Sequence, residues 1–250
     1  MTIYVGCVGA KGGSGKSTMS RLIATALIRA GLTAKIADLD RQRTCLSWAS
    51  KREDFRRALH VGNLRKKPGK QIDIETECPR VPVEYFGILD MALIDSKPYA
   101  YYVLDSAGRA SREIVEIARV ADVIVMPLNP SGDDMWPTAA VYGELVKLGI
   151  PQRKIVTVLN RVGGREEEAA ARDYLSQRGA QVLGPVLREM RVYRSGMTVG
   201  RAPVEAKGAN QRAEAEQVAE SLINIIGEIY HVAQGQGGGA GESEVRATTA

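Results

Sequence analysis

The 250-residue chain is poor in the side chains that cross-link a fold or gather soft metals: it has three cysteines. Cys7, Cys45 and Cys78 are odd in number, widely spaced and without a Cys-x-x-Cys pair, so neither a disulfide framework nor a zinc site is expected. Long apolar runs are also missing. None approaches the ~20 residues that cross a bilayer, and Met1-Thr2-Ile3-Tyr4-Val5 passes straight into a strand pattern, leaving no room for a signal peptide. These absences predict a soluble protein of a reducing cytoplasm. Charge of one sign does not dominate: 34 Lys+Arg against 29 Asp+Glu give +5, with a pI near 9.1. That excess permits attraction to DNA or anionic lipid without demonstrating either. Hydrophobic residues at 44% and charged at 25% make an ordinary globular balance. One α/β domain over residues 1–233 and a disordered Gly-rich tail over 234–250 are expected.

What is present is concentrated in Gly9-Ala10-Lys11-Gly12-Gly13-Ser14-Gly15-Lys16-Ser17-Thr18. An apolar run, Ile3 to Val8, precedes it, and Leu22, Ile23, Ala26 and Leu27 follow at helical spacing. A glycine-rich loop between strand and helix can turn its backbone N–H groups inward on one anion at the helix N-terminus. Lys16 adds a charge for the β- and γ-phosphates, and the Ser17 hydroxyl is placed to ligate Mg²⁺. Gly12, Gly13, Ser14, Gly15, Lys16, Ser17 and Thr18 form the expected phosphate-binding set.

Further strands are expected to end near this loop. Residues 33–39 lead into Asp38-Leu39-Asp40-Arg41-Gln42, Tyr101 to Asp105 close on a carboxylate, and Lys154 to Leu159 lead into Asn160-Arg161. A parallel α/β sheet delivers such ends to its ligand crevice. Asp105 is the candidate to hold a Mg²⁺-bound water, and Asn160 the candidate base contact, since its amide offers both a donor and an acceptor. Two more strands are expected over 122–128 and 181–187. Helices are expected over 17–30, 43–58, 83–93, 111–119 with Ser111 as N-cap, 165–178 and 210–233. The segment 60–82 reads as a surface loop holding a basic turn, Arg65-Lys66-Lys67-Pro68-Gly69-Lys70. In the last helix Ala215, Val218, Leu222, Ile225, Ile226 and Ile229 share a face, which predicts packing on the sheet and not on a membrane.

Lys-Gly-Gly-x-Gly-Lys-[Ser/Thr], with Lys11 as its extra lysine, resembles the deviant Walker A loop of the ParA/MinD-type ATPases, closest to the ParF-like and MipZ-like branches, over about residues 1–230. The resemblance implies a P-loop fold of the SIMIBI type, a mostly parallel twisted sheet with helices on both faces, with ATP and Mg²⁺ as cofactors. It implies that Lys11 reaches the nucleotide of a second subunit, that the chain forms a homodimer on binding ATP, and that Asp40 positions the hydrolytic water while Asp38 structures its loop. Ser17 and Asp105 then serve the metal. Asp105-Ser106-Ala107-Gly108 resembles the ParF-like switch, though many relatives carry a proline there. The turn after 122–128 implies a dimer face around Asp133, Asp134, Met135 and Trp136, and Trp136 reads equally well as core packing. By the same resemblance the partners are nonspecific DNA, contacted by a selection from Arg191, Arg194, Arg201, Lys207 and Arg212, and an activator, a ParB-like protein or a cargo adaptor, on the nucleoid. The implied function is DNA partition, with positioning of division machinery or a cargo as the alternative. An iron–sulfur electron donor of the same fold is discounted because the cysteines are not expected at suitable strand ends.

Overall fold

The computed structural model describes residues 2–67, 69–107 and 112–237. The strands are β1 (Ile3–Cys7), β2 (Ala34–Asp38), β3 (Val83–Tyr85), β4 (Tyr101–Asp105), β5 (Val123–Leu128), β6 (Ile155–Val162), β7 (Gln181–Val182) and β8 (Leu187–Arg188). They line up as β3-β2-β4-β1-β5-β6-β7, with β8 also against β6, and every pairing is parallel. The register sets Cys7 beside Asp105 and Asp38 beside Asp105, so three strands end level with one another. Parallel pairing needs a crossover at each step, and helices supply most of them.

The helices are α1 (Lys16–Arg29), α2 (Thr44–Leu64), α3 (Ile74–Glu77), α4 (Leu89–Asp95), α5 (Arg112–Val120), α6 (Gly132–Lys147), α7 (Arg165–Ser176), α8 (Arg191–Thr198) and α9 (Ala209–Gly237). Short 3₁₀ turns cover Gln152–Lys154 and Pro203–Glu205. Because successive strand residues face opposite ways, the sheet feeds two cores. Val5, Ile36, Val103, Val125 and Val158 meet α1, α2 and α9 on one side. Ala37, Tyr102, Leu104, Ile124, Met126 and Leu159 meet α4 to α7 on the other. The apolar face of α9 is spent here: Ala215, Val218, Leu222, Ile226 and Ile229 are buried. No helix among the described residues is long and apolar enough to cross a membrane.

Several boundaries move. The segment read as a helix over 83–93 opens as β3, the sheet edge, because Pro82 cannot donate to a helix but can offer its carbonyl to the Ile36 N–H. Helix α4 starts only at Leu89. Helix α2 runs to Leu64, six residues beyond its expected end, and α3 interrupts the expected 60–82 loop, capped by the Asp73 carboxylate on the Glu75 N–H. The single strand expected over 181–187 divides into β7 and β8 around Gly184 and Pro185, and Arg191 begins a helix of its own. The closing helix reaches Gly237, past the expected boundary at 233; residues 238–250 of the expected tail, like Gly108 and Ser111, lie outside the described residues.

Candidate functional site

The loop between β1 and α1 opens on a cleft of about 1060 Å³. Its wall includes Gly12, Gly13, Gly15, Lys16, Ser17 and Thr18 from the loop, Asp40, Arg41 and Gln42 after β2, and Arg161 from β6. The N–H groups of Gly12, Gly13 and Gly15 donate to no other described residue, so these amides remain available to an anion. Gly13 and Gly15 hold φ of 87° and 110°. A Cβ on Gly12 or Gly13 would meet nothing within 4 Å, whereas one on Gly15 would stand 2.2 Å from Asn160 Nδ2. Space for a ligand therefore lies on one side of the loop, and packed protein lies against it at Gly15.

Lys16 is 6% exposed and its Nζ donates to the Lys11 carbonyl at 3.2 Å. Burial lowers its pKa, opposed by the charges of Asp105 and Asp40. Asp105, fully buried, accepts from Ser20 Oγ at 2.9 Å, from Cys45 Sγ at 3.1 Å and from Ser17. Its pKa is raised by desolvation, an effect those hydrogen bonds oppose. The hydroxyl and carboxylate expected to serve Mg²⁺ thus lie in direct contact. An oxygen pair of this kind suits a hard cation.

Asp38, also fully buried, accepts from the Asp40 and Leu46 N–H groups at 3.1 and 3.0 Å, and from that of Cys45. It caps the start of α2 from a distance, where the adjacent residue Arg43 offers no side-chain cap. Asp40 is free to face the cleft, its Oδ1 accepting only the Gln42 N–H at 2.9 Å. Arg43 and Arg161 are the two non-glycine residues with positive φ among those described, at 50° and 56°. Such backbone is costly for a residue with a Cβ and gathers at functional sites; Arg161 lines the cleft and Arg43 sits between two residues that do.

Asn160 lies apart from the cleft wall. It is 1% exposed, and its Nδ2 donates to Ser14 O at 3.0 Å and to Asn129 Oδ1 at 3.3 Å. The side chain braces the loop from below. Strand β6 continues three residues further than expected, to Val162, and its Arg161 lines the cleft wall. Lys11, half exposed, pairs with Asp134 Oδ1 at 3.0 Å within its own chain. Asn129 Nδ2 donates to Asp134 Oδ2 at 2.9 Å and to Gly13 O at 3.3 Å, tying α6 to the loop. Trp136 is 70% exposed, so it is not core.

Three cleft residues went unread in the sequence. Glu113 on α5 lines the wall with a buried Oε1 that has no partner, and burial raises its pKa, with Asp40 adding to the effect. Arg21 donates to Thr44 O at 2.7 Å, and Met197 of α8 sits against Thr18 and Arg21. Glu113 and Met197 arrive from distant elements, and Arg21, though on α1 just after the loop, stands in no pattern that marks it.

Two expectations about charge and sulfur need correction. Of the five basic candidates, Arg201 is 7% exposed and bound to Glu205 O and Glu77, and Arg212 donates to Ala206 O. Those two hold the fold, leaving Arg191, Arg194 and Lys207 exposed. Cys7 does end a strand, and Cys45 touches Asp105, against expectation. Both are fully buried, with burial pushing the Cys7 thiol up to about 12, so neither reaches a surface where two subunits could share a cluster.

The ATPase MipZ family profile matches residues 3–161. A search of curated proteins finds no match. Among solved structures, MinD from the Aquifex aeolicus MinC:MinD cell division complex is similar at TM-score 0.67 and 16% identity, covering 90% of this chain and 96% of that one. The Pyrococcus horikoshii septum site-determining protein MinD, complexed with Mg-ADP, gives 0.62 and 20%, covering 92% and 99%. A putative plasmid partition protein from Borrelia burgdorferi bound to AMPPNP gives 0.61 and 16%, covering 90% and 99%. With a profile match across more than half its length and the same fold throughout, the chain belongs to the ATPase MipZ family, of ParA/MinD type.

Proposed function

We propose that the chain is a Mg²⁺-dependent ATPase that dimerises on ATP, with the nucleotide held by residues 12–18 and the metal by Ser17 and Asp105. Bound Mg²⁺ would screen charge on the β- and γ-phosphates. The chain's own groups do the rest: loop amides and Lys16 hold the phosphates, and Asp40 orients water for attack. Asn160, whose Nδ2 braces the loop through Ser14 O, is the proposed base contact.

The observation that carries the reading is Lys11, half exposed and paired with Asp134 of α6, near the charge of the exposed Asp133. A lysine that served its own nucleotide would point into the cleft, as Lys16 does. Light scattering with a nonhydrolysable ATP analogue and Mg²⁺ tests it: the parent should dimerise, and Lys11→Ala should bind nucleotide yet stay monomeric. A parent that remains monomeric at high concentration overturns the proposal.

For the biological task we favour DNA partition, with the ATP dimer holding nonspecific DNA through Arg191, Arg194 and Lys207 and releasing it after hydrolysis stimulated by a ParB-like or cargo-adaptor activator. The net charge of +5 and the plasmid partition neighbour support this. Binding should require ATP and fall steeply with salt; DNA affinity unchanged in Lys16→Ala would sink it. The MipZ profile favours a second reading, positioning of division machinery or a cargo. An activator that is a division or cargo protein rather than a centromere-binding one would decide for it.

A further inference from the structure

Helix α2 is longer than the sheet it covers. Its 21 residues span about 31 Å, but its buried side chains, Cys45, Trp48, Arg52 and Arg56, all lie in the first 13 positions. The last two turns project, and at their end Arg65, Lys66, Lys67 and Lys70 are all exposed. No Asp or Glu occurs from Phe55 to Ile72. The nearest acids are occupied: Asp54 pairs with Arg57, Glu75 with Arg56, and Asp73 caps α3 and accepts from Thr76. The four tip cations have no ion pair among the described residues.

This tip is pinned. Asn63 Nδ2 donates to Ile72 O at 2.7 Å and Asn63 Oδ1 accepts the Ile72 N–H at 2.9 Å, closing the connection on itself. Lys66 N–H donates to Asn63 O, and Lys70 N–H to Lys67 O, both at 3.0 Å. The same end presents Leu64 at 72% exposure, Val61 at 49% and Ile72 at 36%. Cations and apolar side chains therefore share the exposed end of α2.

We propose that the end of α2 is a docking tip for an anionic lipid bilayer. Its four cations would sit among the headgroup phosphates while Leu64 and Val61 enter the acyl boundary. A DNA duplex satisfies the cations but offers nothing to a protruding leucine. The site is remote from the cleft and independent of the nucleotide reading.

Co-sedimentation of the full chain, without nucleotide, with phosphatidylcholine vesicles, alone or containing phosphatidylserine, tests this. Binding is expected only with phosphatidylserine, weakening with salt. Lys66→Glu with Lys67→Glu should cut the apparent affinity at least about tenfold, and Leu64→Ser about threefold or more, with the thermal midpoint unchanged. No binding to either vesicle, equal binding to both, or a double variant that binds like the parent overturns the proposal. So does binding to a random-sequence duplex that the double variant loses and Leu64→Ser keeps, which would make the tip a nucleic-acid contact.

Discussion

Gly15 has no room for a side chain. Its φ of 110° and the 2.2 Å between a would-be Cβ and Asn160 Nδ2 mean that Gly15→Ala must strain the backbone and expel the brace beneath the loop. We expect a loss of about 2 kcal/mol or more in urea unfolding, and a fall in nucleotide affinity of at least about tenfold by titration calorimetry. Glu113 behaves oppositely. Its pKa is raised, so ionising it costs stability: the cost is absent below the ordinary glutamate value and sets in as pH rises through the raised one. Glu113→Gln should therefore match the parent near pH 4 and stabilise it at neutral pH, by less than about 1 kcal/mol after solvent screening; a destabilised variant at pH 7 would count against this. Gly15 was legible because a loop with a fixed spacing encodes its own geometry. Glu113 was not, since its role depends on how α5 returns to the cleft.

At the scale of elements, two ion pairs hold the edges of the molecule. Arg52 and Glu205, 1% and 0% exposed, meet at 2.6 Å, and Arg52 also donates to Pro79 O and Gly200 O, so α2 is bound to the turn before α9. Glu205→Ala would leave a buried guanidinium without its counter-ion and should cost about 3–5 kcal/mol in urea unfolding. The sheet edge depends on Lys35 of β2, which pairs with Glu84 of β3 at 2.7 Å and Asp95 of α4 at 2.5 Å. Burial pushes the Asp95 carboxyl up, but hydrogen bonds from Lys35 and Tyr102 outweigh it and leave the carboxyl below its ordinary value. Burial likewise works against the charge of Lys35, and its two carboxylates more than restore it, so its pKa is raised. The pair's contribution is thus present above the ordinary aspartate value and lost as pH falls below it; it is lost again only as pH rises past the ordinary lysine value. Asp95→Asn should cost about 1 kcal/mol at pH 7 and progressively less as pH falls below the ordinary aspartate value, read by urea unfolding across that range. This edge is what sequence periodicity missed: three residues of β3 carry too short an alternation to separate strand from helix, and the pairing that decides the matter comes from β2. The tail end of α2 was missed for a related reason, because solvated turns leave no apolar stripe.

For the whole molecule, the parallel sheet with helices on both faces was legible through the family resemblance, and apolar runs ending in Asp38, Asp105 and Asn160 marked strands whose ends share one rim; the strand order was not read. The internal links of that rim were not. Lys11, Asp134, Asn129 and Asn160 come from four separate places in the chain yet form one connected set with the loop carbonyls of Gly13 and Ser14. Removing Asp134 should therefore release Lys11 while Asn129 keeps its contact with Gly13 O: Asp134→Ala is expected to lower the ATP concentration for half-maximal dimerisation by up to about fivefold, read by analytical ultracentrifugation beside nucleotide affinity as the control on the loop. An unchanged midpoint would show that the contact does not hold Lys11 back.

Asp134 already plays, in a solitary chain, the part of a rival anion. Under the proposed dimerisation, the lysine that crosses toward a neighbour's triphosphate starts out parked on a carboxylate at home, so assembly becomes an exchange of counter-ions, one abandoned as the other is gained. An exchange of that kind is finely poised: a single lost phosphate could tip Lys11 back onto its own aspartate, and separation of the subunits would then need no lever beyond the return of a side chain to its berth.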